Sequence, residues 1–198
     1  MHPSPSFHWQ DEIAMLAFVS EVGFARLFVG TPDGPRVAHA AVLVTAEGRL
    51  RFHLANANLL TRWLDGATAL ALIEGPNAYL SANWYADARG NVPSWNYVAV
   101  ECEGPVARLD RAALVAFLDE ASAVFEPRVG EDWTRAKMEP ARFEAMLDAI
   151  TLYELTPSLW RGTRKLSQNT PAHEGERLIA NVERTAPAVA AAMRAARA

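Results

Sequence analysis

The first third of the chain alternates between one helical run of apolar residues and several shorter runs typical of strands. Apolar residues at helical spacing occupy positions 8–21, and strand-like runs follow over 23–30, 36–45 and 49–55. The first two of these runs are separated by Thr31–Pro35, where an Asp-Gly pair beside prolines supplies the backbone angles of a tight reversal. Three strands joined by short turns predict an antiparallel meander.

The middle of the chain predicts further strands around a short helix. Positions 56–66 have the apolar spacing of a short helix that stops near Gly66. Two strands are expected at 68–75 and 78–85, separated by Gly75-Pro76, and after a polar loop a long strand follows from Ser94 to Leu109. The β pattern therefore continues beyond the first meander.

The remaining residues are predicted to be mainly helical. Asp110 is placed to cap a helix over 110–126, and Pro140 lies in the first turn of a second helix that begins near residue 139. We expect a last strand at 151–157 and an irregular polar segment at 158–171. A helix is expected from Glu174 to Ala198, interrupted at Pro187.

This order of elements predicts a mainly β fold with helices at the start, in the middle and at the end. Six or seven strands joined largely by short turns favour an antiparallel sheet over a doubly wound parallel one. A closed or split barrel would protect the edges of such a sheet. We expect a single domain over residues 1–198, in which the segment 173–198 packs as a helix on the barrel or on a dimer partner.

Composition and charge narrow the possible functions. The net charge is −4 and the positive charges are scattered, with the densest cluster at Arg161–Lys165. This balance, together with the lack of a helix-turn-helix signature, argues against direct contact with DNA. We find no membrane-spanning or signal segment, and the single Cys102 suits a reducing compartment, so a cytoplasmic protein without membrane contact is expected.

Several familiar chemistries lack their sequence signatures. The chain has no GxGxxG, Walker, HExxH or GxSxG motif, and its five histidines show no metal-ligand spacing. We therefore assign no metal site and no catalytic residue from the sequence.

Three polar clusters could instead form a binding site. Each also has a plainer interpretation: helix capping for the first, aromatic rings hydrogen-bonded to their own neighbours for the second, and a solvated loop for the third. The candidate residues are, in the first cluster, His53, Asn56 and Asn58; in the second, Ser81, Trp84, Tyr85, Trp95, Asn96 and Tyr97; and in the third, Arg161, Arg164, Lys165, Ser167 and Gln168.

Taken together, the clusters supply what flavin mononucleotide (FMN) requires. The isoalloxazine ring needs an aromatic wall and amide groups at its edge, and the ribityl chain needs hydroxyl and amide partners. The phosphate needs Arg or Lys with N–H donors, for which we expect Arg161, Arg164 or Lys165, with Trp84, Trp95 and Tyr97 around the ring. FMN is therefore the predicted cofactor.

Four segments in a fixed order also resemble a known family. "HLANAN", "EGPNAYLSANWY", "VPSWNYVAVECEG" and "KLSQN" are similar to motifs of the PaiB-type FMN-binding proteins, a family of negative transcriptional regulators. The resemblance spans nearly the whole chain. It implies a split β-barrel like that of pyridoxamine-phosphate-oxidase-type flavoproteins, and a homodimer with FMN between the subunits.

The sequence departs from the family pattern at a few positions. His39-Ala40-Ala41 stands where His-Leu-Pro is common, and Asn58-Leu59 replaces Asn-Pro. Ser94 replaces a threonine, and Trp160–Thr163, followed by Arg164-Lys165, replaces a Trp-x-Gly-Lys run. The polar groups are kept at each of these places.

Two functions follow from this interpretation, and a third reading is plainer. One is a flavin-dependent redox protein or sensor, with FMN-dependent oxidoreductase activity as a possible chemistry. The alternative is a transcriptional regulator that acts through DNA or a protein partner, for which the arginines Arg184, Arg194 and Arg197 are the place to look. The third is a barrel that has lost its cofactor and only dimerises.

Overall fold

The computed structural model describes residues 2–197, in which nine strands and six α-helices are found; Met1 and Ala198, the last residue of the predicted terminal helix, lie outside the described residues. The strands are β1 (His8–Trp9), β2 (Phe24–Thr31), β3 (Gly34–Ala41), β4 (Leu43–Val44), β5 (Leu50–Ala55), β6 (Thr68–Leu80), β7 (Ser94–Arg108), β8 (Ile150–Leu155) and β9 (Leu159–Lys165). The α-helices are α1 (Glu12–Val22), α2 (Thr61–Leu64), α3 (Arg111–Phe125), α4 (Pro140–Leu147), α5 (Ala172–Glu183) and α6 (Pro187–Ala195).

The strands follow the hydrogen-bonded order β3-β2-β6-β7-β8-β5-β4, and β9 pairs with both β1 and β7. The strand pairs β2–β3 and β5–β8 are antiparallel, with Leu27 opposite Ala38 in the first and Phe52 opposite Tyr153 in the second. The predicted reversal at Thr31–Pro35 is the β2–β3 turn, where Gly34 has a φ of 94° that favours glycine. This topology confirms the predicted antiparallel, mainly β fold.

The chain forms two compact units. The central unit contains residues 16–72 and 102–159, and the terminal unit contains residues 2–15, 73–101 and 160–197. Strands β6 and β7 each contribute residues to both units.

In the central unit, α3 and α4 pack against the sheet. The Asp110 side chain accepts a hydrogen bond from the backbone N–H of Ala113 at 2.8 Å, which is the predicted N-terminal cap of α3. Pro140 occupies the first turn of α4, as predicted. The buried residues of the two helices form an apolar cluster with the sheet: Leu43, Leu114, Phe117, Phe143, Leu147 and Leu152.

Two predictions near the chain ends are wrong, for one shared reason. The helix expected from residue 8 starts only at Glu12, and the segment expected to be irregular after residue 158 contains β9. Trp9 of β1 pairs with Gly162 of β9, where any larger side chain would meet the Trp9 carbonyl and Met15. Because β1 and β9 hold each other through backbone hydrogen bonds, neither needs an alternating apolar pattern.

Two strand predictions in the middle of the chain also need correction. Strand β6 runs unbroken through Gly75-Pro76, because the fixed φ of proline fits extended backbone and only one N–H is lost. It ends at Leu80, and the residues expected to continue it form a 3₁₀ turn over Ala82–Trp84. The single strand expected at 36–45 is interrupted at Val42, whose N–H donates to the Gly23 carbonyl.

The C-terminal segment of the terminal unit forms two helices. The predicted interruption at Pro187 is confirmed, because α5 ends at Glu183 and Pro187 begins α6. The two helices bury one apolar face each: Leu178, Ile179 and Val182 on α5, and Val189, Ala190 and Met193 on α6. None of the helices within residues 2–197 has the length and apolar character needed to cross a bilayer.

Candidate functional site

The start of β7 and the end of β9 bring two of the predicted motifs together in the terminal unit. The Lys165 ammonium donates hydrogen bonds to the Ser94 hydroxyl and, at 2.6 Å, to the Trp95 carbonyl. The "PSWNY" and "KLSQN" segments, 71 residues apart at this contact, therefore meet because β9 pairs with β7. We call Lys165, Ser94, Trp95, Asn96 and Ser167 the β7–β9 cluster.

Lys165 is a partly buried cation within this cluster. Its ammonium lies 5.9 Å from the centre of the Phe7 ring, and burial lowers the pKa of Lys165 below its ordinary value. Within the described residues its partners are a hydroxyl, a carbonyl and this ring, and no carboxylate lies within ion-pair distance. A cation in this setting favours an anionic ligand, since a negative charge would offset the cost of burial.

An exposed aromatic surface lies next to this cation. Trp95 is 51% exposed although its indole ring is large and mostly apolar. Its Nε1–H donates to the Asn77 side-chain oxygen at 3.1 Å. The Tyr79 ring, also 51% exposed, meets Trp95 edge to face with 6.0 Å between ring centres. Two large rings held at the surface by a hydrogen bond and by each other offer a wall to a planar ligand.

The turn that follows β9 is fixed by buried polar groups. The Ser167 hydroxyl donates to the Asn96 side-chain oxygen at 3.1 Å, and both residues are buried. The Asn96 Nδ2 is buried without an acceptor among the described residues. An unsatisfied buried donor costs about 1–3 kcal/mol, so the Asn96 amide is a candidate to meet a further polar group.

Gln168 has a structural role in this turn. Its side-chain oxygen accepts from the Leu166 N–H at 2.9 Å, and its Nε2 donates to the carbonyls of Arg164 at 2.6 Å and Ser6 at 3.0 Å. With both ends of the side chain engaged, Gln168 shapes the turn that carries Lys165.

The two predicted arginines differ from Lys165 in their surroundings. The Arg161 Nε donates to the Glu101 carboxylate at 2.7 Å, so its charge is matched by an acid. The Arg164 guanidinium lies 3.5 Å from the centre of the Trp9 ring, and burial lowers the pKa of Arg164 although Asp11 opposes this. Of the three cations, Lys165 therefore has the surroundings best suited to an anion.

The segment from Ser81 to Tyr85 lies against α5. The Ser81 hydroxyl accepts from the Asn83 N–H at 3.2 Å, and the Trp84 carbonyl accepts from the Arg177 Nε at 2.9 Å. Burial raises the pKa of Tyr85, the Glu174 carboxylate adds to this effect, and a hydrogen bond with Ser167 opposes it. Through Ser167, Tyr85 therefore contacts the β7–β9 cluster. Tyr97 lies half-buried further along β7.

The first predicted cluster lies in the central unit and has partners there. Asn56 donates to the Asp148 carbonyl at 2.8 Å and accepts from the Thr151 hydroxyl at 2.6 Å. The Asn58 side chain accepts from the Leu60 N–H at 3.0 Å, which is a local turn before α2 and not the predicted helix cap, because the N-cap position is occupied by Leu60. The His53 ring lies 5.7 Å from Phe117, measured between ring centres.

The structure agrees with the sequence on Cys102 but gives three other residues roles that the sequence did not predict. Burial raises the pKa of Cys102 to about 12, which agrees with its interpretation as an unreactive strand thiol. Asn77 and Tyr79 were overlooked as partners of Trp95, although their spacing of two along β6 puts them on one face of a strand. Arg197 was considered only as a contact for DNA or a protein partner, because its donation to the Ser167 carbonyl depends on how α6 folds back.

Comparison with known proteins identifies the family. Residues 1–157 match the family model described as "Putative FMN-binding domain". Among curated proteins, "Protease synthase and sporulation protein PAI 2" of Bacillus subtilis (strain 168) is 32% identical over 100 residues. That alignment covers 50% of this chain and 47% of the relative, so the chain spans about half the length of the relative it matches.

Solved flavoprotein structures share the fold. The flavocytochrome Anf3 from Azotobacter vinelandii has a TM-score of 0.67 at 15% identity, with 83% of this chain and 72% of that chain covered. The FAD and heme binding protein from Mycobacterium smegmatis has a TM-score of 0.60 at 15% identity, with coverage of 80% and 73%. These likenesses confirm the predicted split-barrel fold. With the model matching residues 1–157, the chain belongs to the PaiB-like FMN-binding domain family, whose cofactor, FMN, is the one the sequence predicted.

Proposed function

We propose that the β7–β9 cluster is part of the FMN site and that the protein is a flavin-dependent redox protein or sensor. The observation that carries this proposal is the Lys165 ammonium, which is partly buried, is held by the backbone carbonyl of Trp95, a residue with an exposed ring, and has no carboxylate partner in residues 2–197. A cation next to an aromatic wall matches a ligand that has a phosphate at one end and a flat ring at the other.

The donor set of the cluster fits this ligand. Lys165 would hold the phosphate, with the Ser94 hydroxyl orienting its ammonium, and Trp95 with Tyr79 would cover one face of the ring. The unsatisfied Asn96 amide is available for a polar edge of the ligand, or for a water that bridges to it. When bound, FMN supplies reversible electron acceptance, and the protein's part is to bind, orient and shield it.

The other predicted ligands are proposed with different roles. Arg164 would reinforce the positive field near Lys165, whereas Arg161 is already paired with Glu101. Ser167 and Gln168 would act by keeping the turn after β9 in shape. Ser81, Trp84, Tyr85 and Tyr97 remain proposed contacts around the cofactor.

We further propose a single functional domain that forms a cytoplasmic homodimer with FMN between the subunits. The predicted ligands fall into a terminal-unit set and a central-unit set, the latter being His53, Asn56 and Asn58. A second copy would allow the two sets to come from different subunits, as the family resemblance implies. Light scattering after size exclusion, with and without FMN, tests this: a mass near 21.7 kDa under both conditions would contradict the dimer.

The visible spectrum of the freshly purified protein is the direct test of flavin binding. We expect flavin absorption, or a saturable spectral change when the colourless protein is titrated with FMN. The chain has two lysines, so Lys137→Met, at the exposed Lys137–Asp132 pair, is a matched control for Lys165→Met. We expect only Lys165→Met to weaken FMN binding, by about tenfold or more for a lost charge-assisted phosphate contact.

Two outcomes would contradict the proposal. If neither absorption nor titration reveals flavin in a folded protein, the chain is a barrel that has lost its cofactor. If FMN binds and both lysine variants bind it equally well, the phosphate lies elsewhere. Riboflavin is the control titrant for the phosphate contact. Because it lacks the phosphate, its affinity should be the same for Lys165→Met and for the parent protein.

The second candidate is a transcriptional regulator that acts through DNA or a protein partner. The name of the Bacillus subtilis relative, which refers to protease synthesis and sporulation, favours it. Of the three arginines considered, Arg194 pairs with Glu183 at 2.6 Å and Arg197 donates to Ser167 and Thr170, which leaves Arg184 as the exposed arginine with no partner among the described residues. A salt-dependent gel shift with promoter DNA that Arg184→Glu abolishes would support direct DNA contact, and no shift at low salt would exclude it.

A further inference from the structure

An apolar pocket in the central unit is not explained by the proposed flavin site. Its volume is about 410 Å³, which lies in the range of small-molecule sites, roughly 300–1,000 Å³. It is formed where α3, α4 and the segment between them approach the strands β5 and β8. Its apolar walls consist of three aromatic rings, two thioethers and aliphatic groups, including Phe125, Trp133, Phe143, Met138, Met146 and Ile150.

One polar ring faces this apolar wall. His53 lines the pocket, its Nδ1 is buried without a partner among the described residues, and burial lowers the pKa of its imidazole. His53 is therefore uncharged near neutral pH. An apolar pocket that retains a few polar groups and a perturbed histidine has the composition of a ligand site rather than of a packing defect.

The pocket is lined by more negative than positive side chains. Arg135 forms an ion pair with Asp119, with 3.0 Å between nitrogen and oxygen, so these two charges offset each other, and the Arg135 guanidinium lies 5.5 Å from the centre of the Phe143 ring. The Glu126 carboxylate accepts a hydrogen bond from the backbone N–H of Trp133 at 3.1 Å, which is a neutral donor. It has no cation within ion-pair distance among residues 2–197. Glu126 therefore leaves one uncompensated negative charge beside an apolar space.

The adjoining cleft strengthens this negative character. It shares Asp119, Glu126 and Arg135 with the pocket and adds the carboxylates of Glu131 and Asp132. Asp132 is paired with Lys137, but no positive partner of Glu131 is present in the described part of the chain. Both compartments are thus more acidic than basic.

We propose that this pocket binds a small hydrophobic amine, with its apolar body among Phe125, Phe143 and Met146 and its ammonium at Glu126. The apolar body would gain free energy by leaving water, and the ammonium would remain at the half-exposed mouth. A carboxylate of the same size would meet Glu126 with the wrong sign. The site belongs to the central unit, and of the residues that line it His53 alone is also a proposed flavin ligand.

Three ligands of one shape test the charge preference. We would measure binding of 1-naphthylmethylamine, 1-naphthalenemethanol and 1-naphthoic acid to the 198-residue protein by calorimetry, with FMN present and absent. We expect the amine to bind about tenfold more tightly than the acid, with the alcohol between them, because a partly solvated charge contributes on this scale. Equal binding of acid and amine, or no saturable binding of any of the three, would overturn the proposal.

Two pairs of variants locate the site. Glu126→Gln should remove the preference for the amine, whereas Glu120→Gln, at an exposed acid on α3 that does not line the pocket, should keep it. Ala121→Phe should fill the pocket and abolish binding of all three probes, and Ala116→Phe on the exposed side of α3 is its control. If Ala121→Phe does not fold, the Glu126→Gln and Glu120→Gln variants still test the site. An unchanged preference for the amine in Glu126→Gln would contradict the proposed site.

Discussion

The hydroxyl of Ser167 donates to the side-chain oxygen of Asn96 across 3.1 Å, and both groups are buried. Ser167 has a φ of 57° and is the one non-glycine residue with a positive φ in the part of the chain that the structure describes. Backbone in this region is unfavourable for residues with a side chain. The contact therefore holds the turn after β9 against the start of β7 at a conformational cost.

Substitutions at Ser167 should separate the hydrogen bond from the backbone strain. Ser167→Ala loses the bond and keeps the strain, and we expect a loss of about 1–2 kcal/mol in the free energy of unfolding. Ser167→Gly also loses the bond but relaxes the left-handed backbone, so its loss should be smaller by roughly 1 kcal/mol. Urea denaturation measures both values, and a glycine variant less stable than the alanine variant would refute this account.

Arg197 should act as a positioning residue for the proposed FMN site. Its guanidinium donates to the carbonyl of Ser167 and, at 2.6 Å, to the hydroxyl of Thr170, and it packs where any side chain at Gly175 would collide with it. We expect Arg197→Ala to loosen the turn and weaken FMN binding several-fold, and to make residues 167–171 more accessible to protease.

The control for Arg197 is Arg194→Ala, which removes an exposed arginine of α6 that pairs with Glu183. Gly175→Ala should reproduce the effect of Arg197→Ala, since it displaces the guanidinium without changing its charge. FMN affinity by fluorescence titration and cleavage sites by mass spectrometry are the two measurements. Faster cleavage with unchanged FMN affinity would mean that the turn is unrelated to the cofactor.

Glu154 should stabilise the central unit above acidic pH. Its carboxylate is buried and accepts from Arg49 and Arg51, each at 2.8 Å. Burial alone would raise its pKa, but the two arginines outweigh burial and the pKa of Glu154 is lowered. We expect Glu154→Gln to cost about 2 kcal/mol at neutral pH, since hydrogen bonds to charged groups contribute about 1.5–3 kcal/mol.

The pH dependence gives Glu154 a distinctive signature. A carboxyl with a lowered pKa in the folded state stabilises above its ordinary pKa, about 4.3, and loses this contribution as the pH falls further. The difference in unfolding free energy between the parent and Glu154→Gln should therefore shrink as the pH falls below about 4.3. A difference independent of pH would assign the effect to packing instead.

His53 should produce a pH dependence of the same sign as Glu154, but nearer neutral pH. Because burial lowers the pKa of His53, the unfolded chain binds a proton there more readily than the folded protein. The parent should therefore lose stability as the pH falls below about 6.5, the ordinary pKa of histidine, and His53→Phe should lose less. Thermal unfolding across this range measures the two slopes, and parallel slopes would contradict a buried neutral imidazole.

Local patterns in the sequence determined the elements that are stabilised locally. The Asp110 cap, Pro140 in the first turn of α4 and the Asp33-Gly34 reversal act through neighbouring backbone groups, so their residue types alone were enough to predict them. The four ordered motifs also identified the family and its FMN cofactor, since they preserve a set of side-chain types in a fixed order. The split barrel followed from the family resemblance and from the many short turns.

Only the tertiary structure decided which candidate residues act together. Strand β9 has no alternating apolar pattern and forms because β1 and β7 supply hydrogen-bond partners on either side. That pairing brings Lys165 to the Trp95 carbonyl. In the turn after β9, Gln168 donates to the Arg164 carbonyl. The return of α6 toward this turn lets Arg197 reach the Ser167 carbonyl. Contacts between distant segments depend on backbone pairing and on the return path of the chain, and neither leaves a periodic signal in the residues that form them.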